Sequence, residues 1–211
     1  MRSEYPSMAA ALVPYAAVAT GLFVLRSAWA AILLYHLGIV VVLSVTGWRS
    51  PLLRAQSGWR WFALPAAVAA ALAGAGLYLL WPYIDATGAG LDARLREFGL
   101  GGASWLLFAV YYSTVHPVLE ELFWRGGGDG ARRPAPDWRD VAFAGYHVPV
   151  LWFFVGPVWV AVSFVALAAA SWLWRLAAHR FGGLGVPLVS HAAADLSIMV
   201  AAMLIARHGP W

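Results

Sequence analysis

Residues 28–46, which read AWAAILLYHLGIVVVLSVT, decide the fold class of the chain. The stretch carries no charged residue, and its length is close to the roughly 20 apolar residues that an α-helix needs to cross a bilayer. We therefore predict a transmembrane helix over these residues. Its single imidazole, that of His36, is expected to form a hydrogen bond with a neighbouring helix rather than to bind a metal ion.

The same apolar character extends over most of the chain, of which 62% is hydrophobic and only 11% is charged. A soluble domain carries about 25% charged residues, so the composition indicates a protein that lies in the lipid bilayer. We predict an all-α, polytopic transmembrane helical bundle of about seven spans, which forms a single membrane domain over residues 1–211. The six further spans are predicted at 8–25, 62–84, 103–123, 141–156, 158–178 and 185–206.

Arginine placement predicts the orientation of these helices, because cytoplasmic segments are enriched in basic residues. With a cytoplasmic N-terminus, ten of the 14 arginines lie in inner segments and four in outer ones, which predicts an N-in, C-out topology. The Gly/Pro-rich stretch 126–137 is then a mobile cytoplasmic loop. The stretch 85–100 is predicted to hold a short interfacial helix with Leu91, Leu95 and Phe98 on its apolar side.

The composition also excludes two kinds of site. The chain has no cysteine, so neither a disulfide framework nor a thiolate metal site is possible. It has no basic stripe interleaved with aromatic residues, so no nucleic acid is expected among its partners.

Three short stretches place ionisable side chains inside predicted spans, where such groups are costly. They are HPVLEELFWR (116–125), FAGYH (143–147) and HAAAD (191–195). Spacing of four residues puts two side chains on one helix face. We therefore expect Glu121 to pair with Arg125, His116 to share a face with Glu120, and the two ends of HAAAD to share a face.

Each stretch taken alone also fits a structural role: a salt bridge that anchors a helix end, a histidine bonded to a carbonyl, or a private His–Asp hydrogen bond. The predicted topology, however, puts all three at a similar depth on the cytoplasmic side. We therefore expect them to meet at one site.

The three stretches resemble the signature of the CAAX-protease and bacteriocin-processing (CPBP) family of intramembrane proteases, which includes the CAAX prenyl endopeptidases. That signature is Glu-Glu-x-x-x-Arg, Phe-x-x-x-His and His-x-x-x-Asn/Asp, in this order on separate helices. The chain matches it with Glu120, Glu121 and Arg125, with Phe143 and His147, and with His191 and Asp195. The resemblance covers roughly 103–200, so 101–211 would hold the catalytic helices and 1–100 a variable N-terminal region.

The resemblance implies peptide-bond hydrolysis at a polar cavity that opens to the cytoplasmic side of a bacterial cytoplasmic membrane. Glu120 and His147 would activate a water molecule, and His191 and Asp195 would stabilise the oxyanion. The supporting residues would be Glu121, Arg125 and Phe143, and His116 is added because it shares the face of Glu120. The expected partner is a membrane-embedded or lipidated protein or peptide substrate.

Metal dependence is left open at this point. Glu120, His147 and His191 would make a His₂–carboxylate set of the kind found in catalytic zinc sites, and His116 would add a further ligand. The sequence has no HExxH pair, which would place two ligands on one helix. We therefore favour a site without a cofactor, with zinc as the alternative.

Two functions of other classes also fit a chain of this kind. A non-catalytic membrane scaffold or regulator could keep the same fold, although here every motif position is filled. A small transporter could use the intramembrane carboxylates as a proton relay. It would need polar groups through the whole membrane depth, whereas the first three spans have almost none besides His36.

Overall fold

The computed structural model describes residues 7–46, 58–85, 90–126 and 135–208, and these form helices joined by short connections. The elements are α1 (Leu12–Ala19) with a π-helical turn (Thr20–Val24), α2 (Ala28–Val45), α3 (Trp59–Ile84), α4 (Leu91–Glu97), α5 (Ala103–Arg125), α6 (Trp138–Leu151), α7 (Pro157–Phe181) and α8 (Gly185–His208). Most of the predicted loop 126–137 lies outside the described residues. So do five of the arginines used to predict the topology, Arg2, Arg49, Arg54, Arg132 and Arg133.

Among the described residues, four helices, α2, α3, α7 and α8, are long and apolar enough to cross a membrane. Of the other predicted spans, 8–25 corresponds to the shorter helical run Leu12–Val24. Helix α6 has 14 residues, about 21 Å of length against a hydrocarbon core of about 30 Å. Helix α5 has 23 residues but more polar side chains. The all-helical prediction is confirmed, whereas the count of about seven spans stays a prediction.

The short helix predicted within 85–100 is confirmed as α4. Its apolar side chains, Leu91, Leu95 and the adjacent Phe98, are buried. On the opposite side, Arg96 Nε donates to Asp92 Oδ2 at 2.8 Å in an exposed ion pair. The helix is therefore amphipathic, as the spacing of its leucines indicates.

Helix α8 is held against α3 by a very close backbone approach. The Gly74 N–H donates to Ser197 Oγ at 3.1 Å. A Cβ atom at Gly74 would lie 2.2 Å from the Ser197 carbonyl oxygen, so only glycine fits there. Because α8 also carries His191 and Asp195, this contact helps to fix two of the predicted site residues.

A buried ionic network joins α5, α6 and α7. Arg125 Nη1 donates to Glu121 Oε1 at 2.6 Å, which confirms the predicted pair. Arg125 Nη2 donates to Ser171 Oγ at 2.9 Å, and that hydroxyl donates to Asp140 Oδ1 at 3.0 Å. Arg175 Nη2 donates to Asp140 Oδ2 at 2.6 Å. Each charge in this network thus has a partner of opposite sign, which buried charges require.

Helix α6 begins at Trp138, three residues before the predicted start of the span at 141. A capping box sets this start: the Asp137 carboxylate accepts from the Arg139 N–H at 3.2 Å, and Asp140 Oδ2 accepts from the Asp137 N–H at 2.9 Å. His147 consequently lies about two and a half turns inside the helix, deeper than the sequence analysis placed it.

Replacing Gly74 with valine is expected to separate α3 from α8. The new side chain must displace the α8 backbone, and overpacking of this kind costs about 1–3 kcal/mol. Thermal unfolding of the purified protein in detergent micelles, followed by circular dichroism, measures the loss. Gly76→Val is the matched control, since a Cβ atom there has nothing within 4 Å. Equal destabilisation by the two variants would contradict the assigned packing.

Removing the Arg125 guanidinium is expected to destabilise the fold severely. Arg125→Ala leaves the fully buried Glu121 carboxylate without its cation, and breaking a buried pair costs roughly 3–5 kcal/mol. Arg96→Ala removes the arginine of another i,i+4 pair, but an exposed one, and should leave the unfolding temperature unchanged. The same micelle assay compares both variants. A fold that tolerates Arg125→Ala as well as Arg96→Ala would show that the network is unimportant.

Candidate functional site

Helix α5 presents its polar side chains in two directions at its C-terminal end. His116 and Glu120 share one face, with His116 Nε2 at 3.4 Å from Glu120 Oε2. Glu121 turns the other way, toward Arg125. Both carboxylates are 0% exposed. The two adjacent glutamates therefore play different parts, as their 100° separation around the helix predicts.

Two tyrosines hold one oxygen of the Glu120 carboxylate. The Tyr35 hydroxyl of α2 donates to Glu120 Oε1 at 2.6 Å, and the Tyr146 hydroxyl of α6 donates to the same oxygen. The indole N–H of Trp124 donates to the Tyr35 oxygen at 3.0 Å. Glu120 Oε1 is therefore anchored from two neighbouring helices, while Glu120 Oε2 is directed at the histidines.

The sequence analysis did not identify these two tyrosines as site residues. Tyr146 stands directly before His147 in the FAGYH stretch, so the motif itself contained a signal. Tyr35 precedes His36 in an otherwise apolar span, and this polar pair was the only available indication. Its partner lies 85 residues away in the chain, a separation that spacing rules for a single helix cannot bridge.

His191 connects the two glutamates. Its Nδ1 lies 2.8 Å from Glu121 Oε1, and its Nε2 lies 3.5 Å from Glu120 Oε2. Because an ionised carboxylate oxygen can only accept, Nδ1 donates this hydrogen bond, and Nε2 is the ring nitrogen that faces the site. Asp195 Oδ2 lies 3.7 Å from the same Nε2, as the shared face predicts. The indole of Trp174 stacks on the imidazole at 4.3 Å between centroids.

His116 is supported from its other side by His36. Its Nδ1 lies 3.0 Å from His36 Nε2, and His36 Nδ1 lies 2.7 Å from the Tyr111 hydroxyl. The expectation that His36 bonds to a neighbouring helix is confirmed, since both partners belong to α5. The ring of Tyr112 stacks on His116 at 4.4 Å. These contacts fix the ring and direct Nε2 toward Glu120.

His147 and Phe143 lie at the edge of this cluster. His147 Nδ1 donates to the Phe143 carbonyl at 2.8 Å, which leaves Nε2 as the acceptor nitrogen. The His147 ring lies against that of Tyr146, at 4.0 Å between centroids, and the residue is half-buried. Phe143 is fully buried, with the Arg125 guanidinium 4.7 Å from its ring centroid.

The residues that lie close enough together to hold a metal ion differ from the set considered from sequence for the zinc alternative. Among the described residues, His116, His191 and Asp195 offer ligand atoms that all lie within 4.8 Å of one another. Neither His147 nor Glu120 belongs to this group, although the sequence suggested both, together with His191, as ligands if a metal is present. The Nδ1 atom of His147 is engaged by its own helix, one turn back.

The site is closed to solvent over most of its surface. His116, Glu120, Glu121, His191 and Asp195 are each at most 6% exposed. A surface pocket lined by Arg60, Trp61 and Leu64 includes none of them. The cavity that opens to the cytoplasmic side therefore stays a prediction.

The arrangement can hold a proton acceptor beside two imidazoles in a nearly water-free environment. A carboxylate oxygen in such surroundings is suited to general-base chemistry, and neighbouring ring nitrogens can serve as hydrogen-bond donors or as metal ligands. Comparison with protein-family models, with curated proteins and with solved structures finds no significant match to the chain.

Proposed function

We propose that the protein is an intramembrane endopeptidase that hydrolyses a peptide bond in a membrane-embedded or lipidated protein or peptide. One observation carries this proposal: a fully buried carboxylate, that of Glu120, lies within 3.5 Å of two imidazoles contributed by different helices. The span-length apolar helices α2, α3, α7 and α8 support a site at membrane depth. The resemblance to the CPBP signature supports the same reaction class.

The proposed roles follow from the contacts. Glu120 Oε2 takes the proton of the attacking water, while the tyrosines hold Oε1 and keep the carboxylate in place. His147, the half-buried member, is assigned to activate the water together with Glu120. The polarisation of the scissile carbonyl is assigned to His191. Glu121 and Arg125 position that ring through its Nδ1.

The proposal includes a polytopic arrangement of about seven spans in a bacterial cytoplasmic membrane, with the N-terminus inside. In this arrangement α5 ends, and α6 and α8 begin, at the cytoplasmic side. The contacts of Glu120 with Tyr146 and His191 support the shared depth. The arginine bias of ten to four supports the orientation.

Glu120→Gln and His147→Gln are each expected to lower cleavage by roughly 10²–10⁴-fold, the usual contribution of a general base. The assay uses protein in liposomes and peptides with a prenylated, palmitoylated or hydrophobic C-terminal tail, with products identified by mass spectrometry. Glu97→Gln, on the exposed face of α4, is the control and should cleave normally. Full activity of Glu120→Gln, or no cleavage of any probe by the wild type, would contradict the proposal and favour a scaffold.

Tyr35→Phe and Tyr146→Phe are expected to lower kcat with little change in KM, because each removes one hydrogen bond that positions Glu120. A hydrogen bond to a charged group contributes about 1.5–3 kcal/mol, or roughly 10–100-fold. The double variant should lose less than the product of the two, since both bonds serve one oxygen. Tyr83→Phe, whose side chain is exposed, is the control. A raised KM with unchanged kcat would assign the tyrosines to substrate binding instead.

A further inference from the structure

We propose that His116, His191 and Asp195 form a binding site for a divalent transition-metal ion of the zinc class. The three side chains offer ligand atoms that lie within 4.8 Å of one another, and all three residues are buried. Two imidazoles and one carboxylate are a donor set found in catalytic zinc sites. His116 belongs to α5, which the ionic network holds in place. His191 and Asp195 belong to α8, which the Gly74 contact holds against α3.

The distance between the His191 and Asp195 ligand atoms fits a shared metal ion better than a shared water molecule. Zinc bonds of about 2.0–2.2 Å in a tetrahedron separate the ligand atoms by ~3.3–3.6 Å. Two groups bonded tetrahedrally to one water at about 2.8 Å would be ~4.6 Å apart. His191 Nε2 lies 3.7 Å from Asp195 Oδ2. Glu120 Oε2, which is not one of the proposed ligands, lies 3.4 Å from His116 Nε2 and 3.5 Å from His191 Nε2.

The atoms that face the centre of the cluster lack hydrogen-bond partners. Within the part of the chain that the structure describes, this holds for His116 Nε2, Glu120 Oε2 and Asp195 Oδ2. Their residues are at most 6% exposed, and a buried polar atom without a partner is costly. A metal ion bound between these atoms would coordinate His116 Nε2 and Asp195 Oδ2 directly.

The atoms of the two imidazoles and of Glu120 that face away from the centre are engaged. His191 Nδ1 is bonded to Glu121, His116 Nδ1 to His36, and Glu120 Oε1 to the two tyrosines. Metal-binding histidines show this pattern, because a hydrogen bond at the far nitrogen fixes the tautomer and the ring orientation. The cluster therefore combines inner atoms that lack hydrogen-bond partners with histidines that are held by hydrogen bonds on their outer side.

The charges of the cluster also call for a cation. Three carboxylates, those of Glu120, Glu121 and Asp195, lie around the His191 imidazole, and the Arg125 guanidinium pairs with one of them, Glu121. When all are ionised, two negative charges stay uncompensated in a region of low dielectric constant. A divalent ion balances them.

This assignment exchanges two of the three ligands considered from sequence. His147 is replaced by His116, and Asp195 becomes a ligand, while Glu120 stays beside the ion as the proton acceptor. When bound, the ion would polarise a carbonyl oxygen and lower the pKa of a coordinated water molecule. The inference deepens the proposed function, but binding can be measured without any substrate.

The test titrates the metal-stripped, full-length protein in detergent micelles with Co²⁺, followed by displacement with Zn²⁺. We expect one ion per chain by elemental mass spectrometry and the intense visible absorption of a four-coordinate cobalt site. His116→Gln and Asp195→Asn should weaken binding by at least roughly 100-fold, since even the loss of an outer partner costs 10–100-fold. His147→Gln is the matched control and should bind as the wild type does.

Circular dichroism and size-exclusion chromatography establish whether each variant is folded. If His116→Gln does not fold, the metal affinity of the near-isosteric Asp195→Asn variant tests the inference. Absence of stoichiometric binding to the wild type would overturn the inference. Equal weakening by His147→Gln and His116→Gln would also overturn it, in favour of the other ligand set. Metal binding without cleavage of any peptide would sink the peptidase proposal and leave the metal site standing.

Discussion

The complete burial of two adjacent carboxylates, Glu120 and Glu121, is the constraint on which the rest of the site depends. A buried charge without a partner costs several kcal/mol, so every helix around α5 must supply a polar group. Helices α2 and α6 supply tyrosine hydroxyls to Glu120. Helix α8 supplies an imidazole to both carboxylates, and α7 supplies a hydroxyl to the guanidinium that pairs with Glu121.

This constraint explains why α5 lies where it does. Helix α5 carries the carboxylates, and its polar face is covered by the span-length helices α2, α7 and α8 rather than by lipid. Their outer surfaces are exposed and apolar, as at Leu37, Val165 and Leu196. The bundle therefore separates two environments: an apolar exterior that fits a bilayer, and a polar centre that is closed by aromatic rings such as Trp174 and Tyr112.

Sequence patterns predicted what depends on a single helix. The Glu121–Arg125 pair, the shared face of His191 and Asp195, and the buried leucines of α4 all follow from a period of 3.6 residues. The approach of Tyr35 to Glu120 was missed, because packing between distant segments determines it. The start of α6 was also missed, because Asp137 and Asp140 form a capping box in a stretch that apolar periodicity does not mark.

The role of Asp195 differs between a metal-free site and a metal-bound site. Asp195 Oδ2 lies beside His191 Nε2, the nitrogen that would have to donate to an oxyanion. An ionised carboxylate there repels the charge that develops on the substrate. It is also not needed to orient the ring, since Glu121 already does so through Nδ1. A cation bound between His191 and Asp195 would instead be coordinated by the ionised carboxylate. Metal binding thus gives Asp195 a role that the other contacts of the site do not.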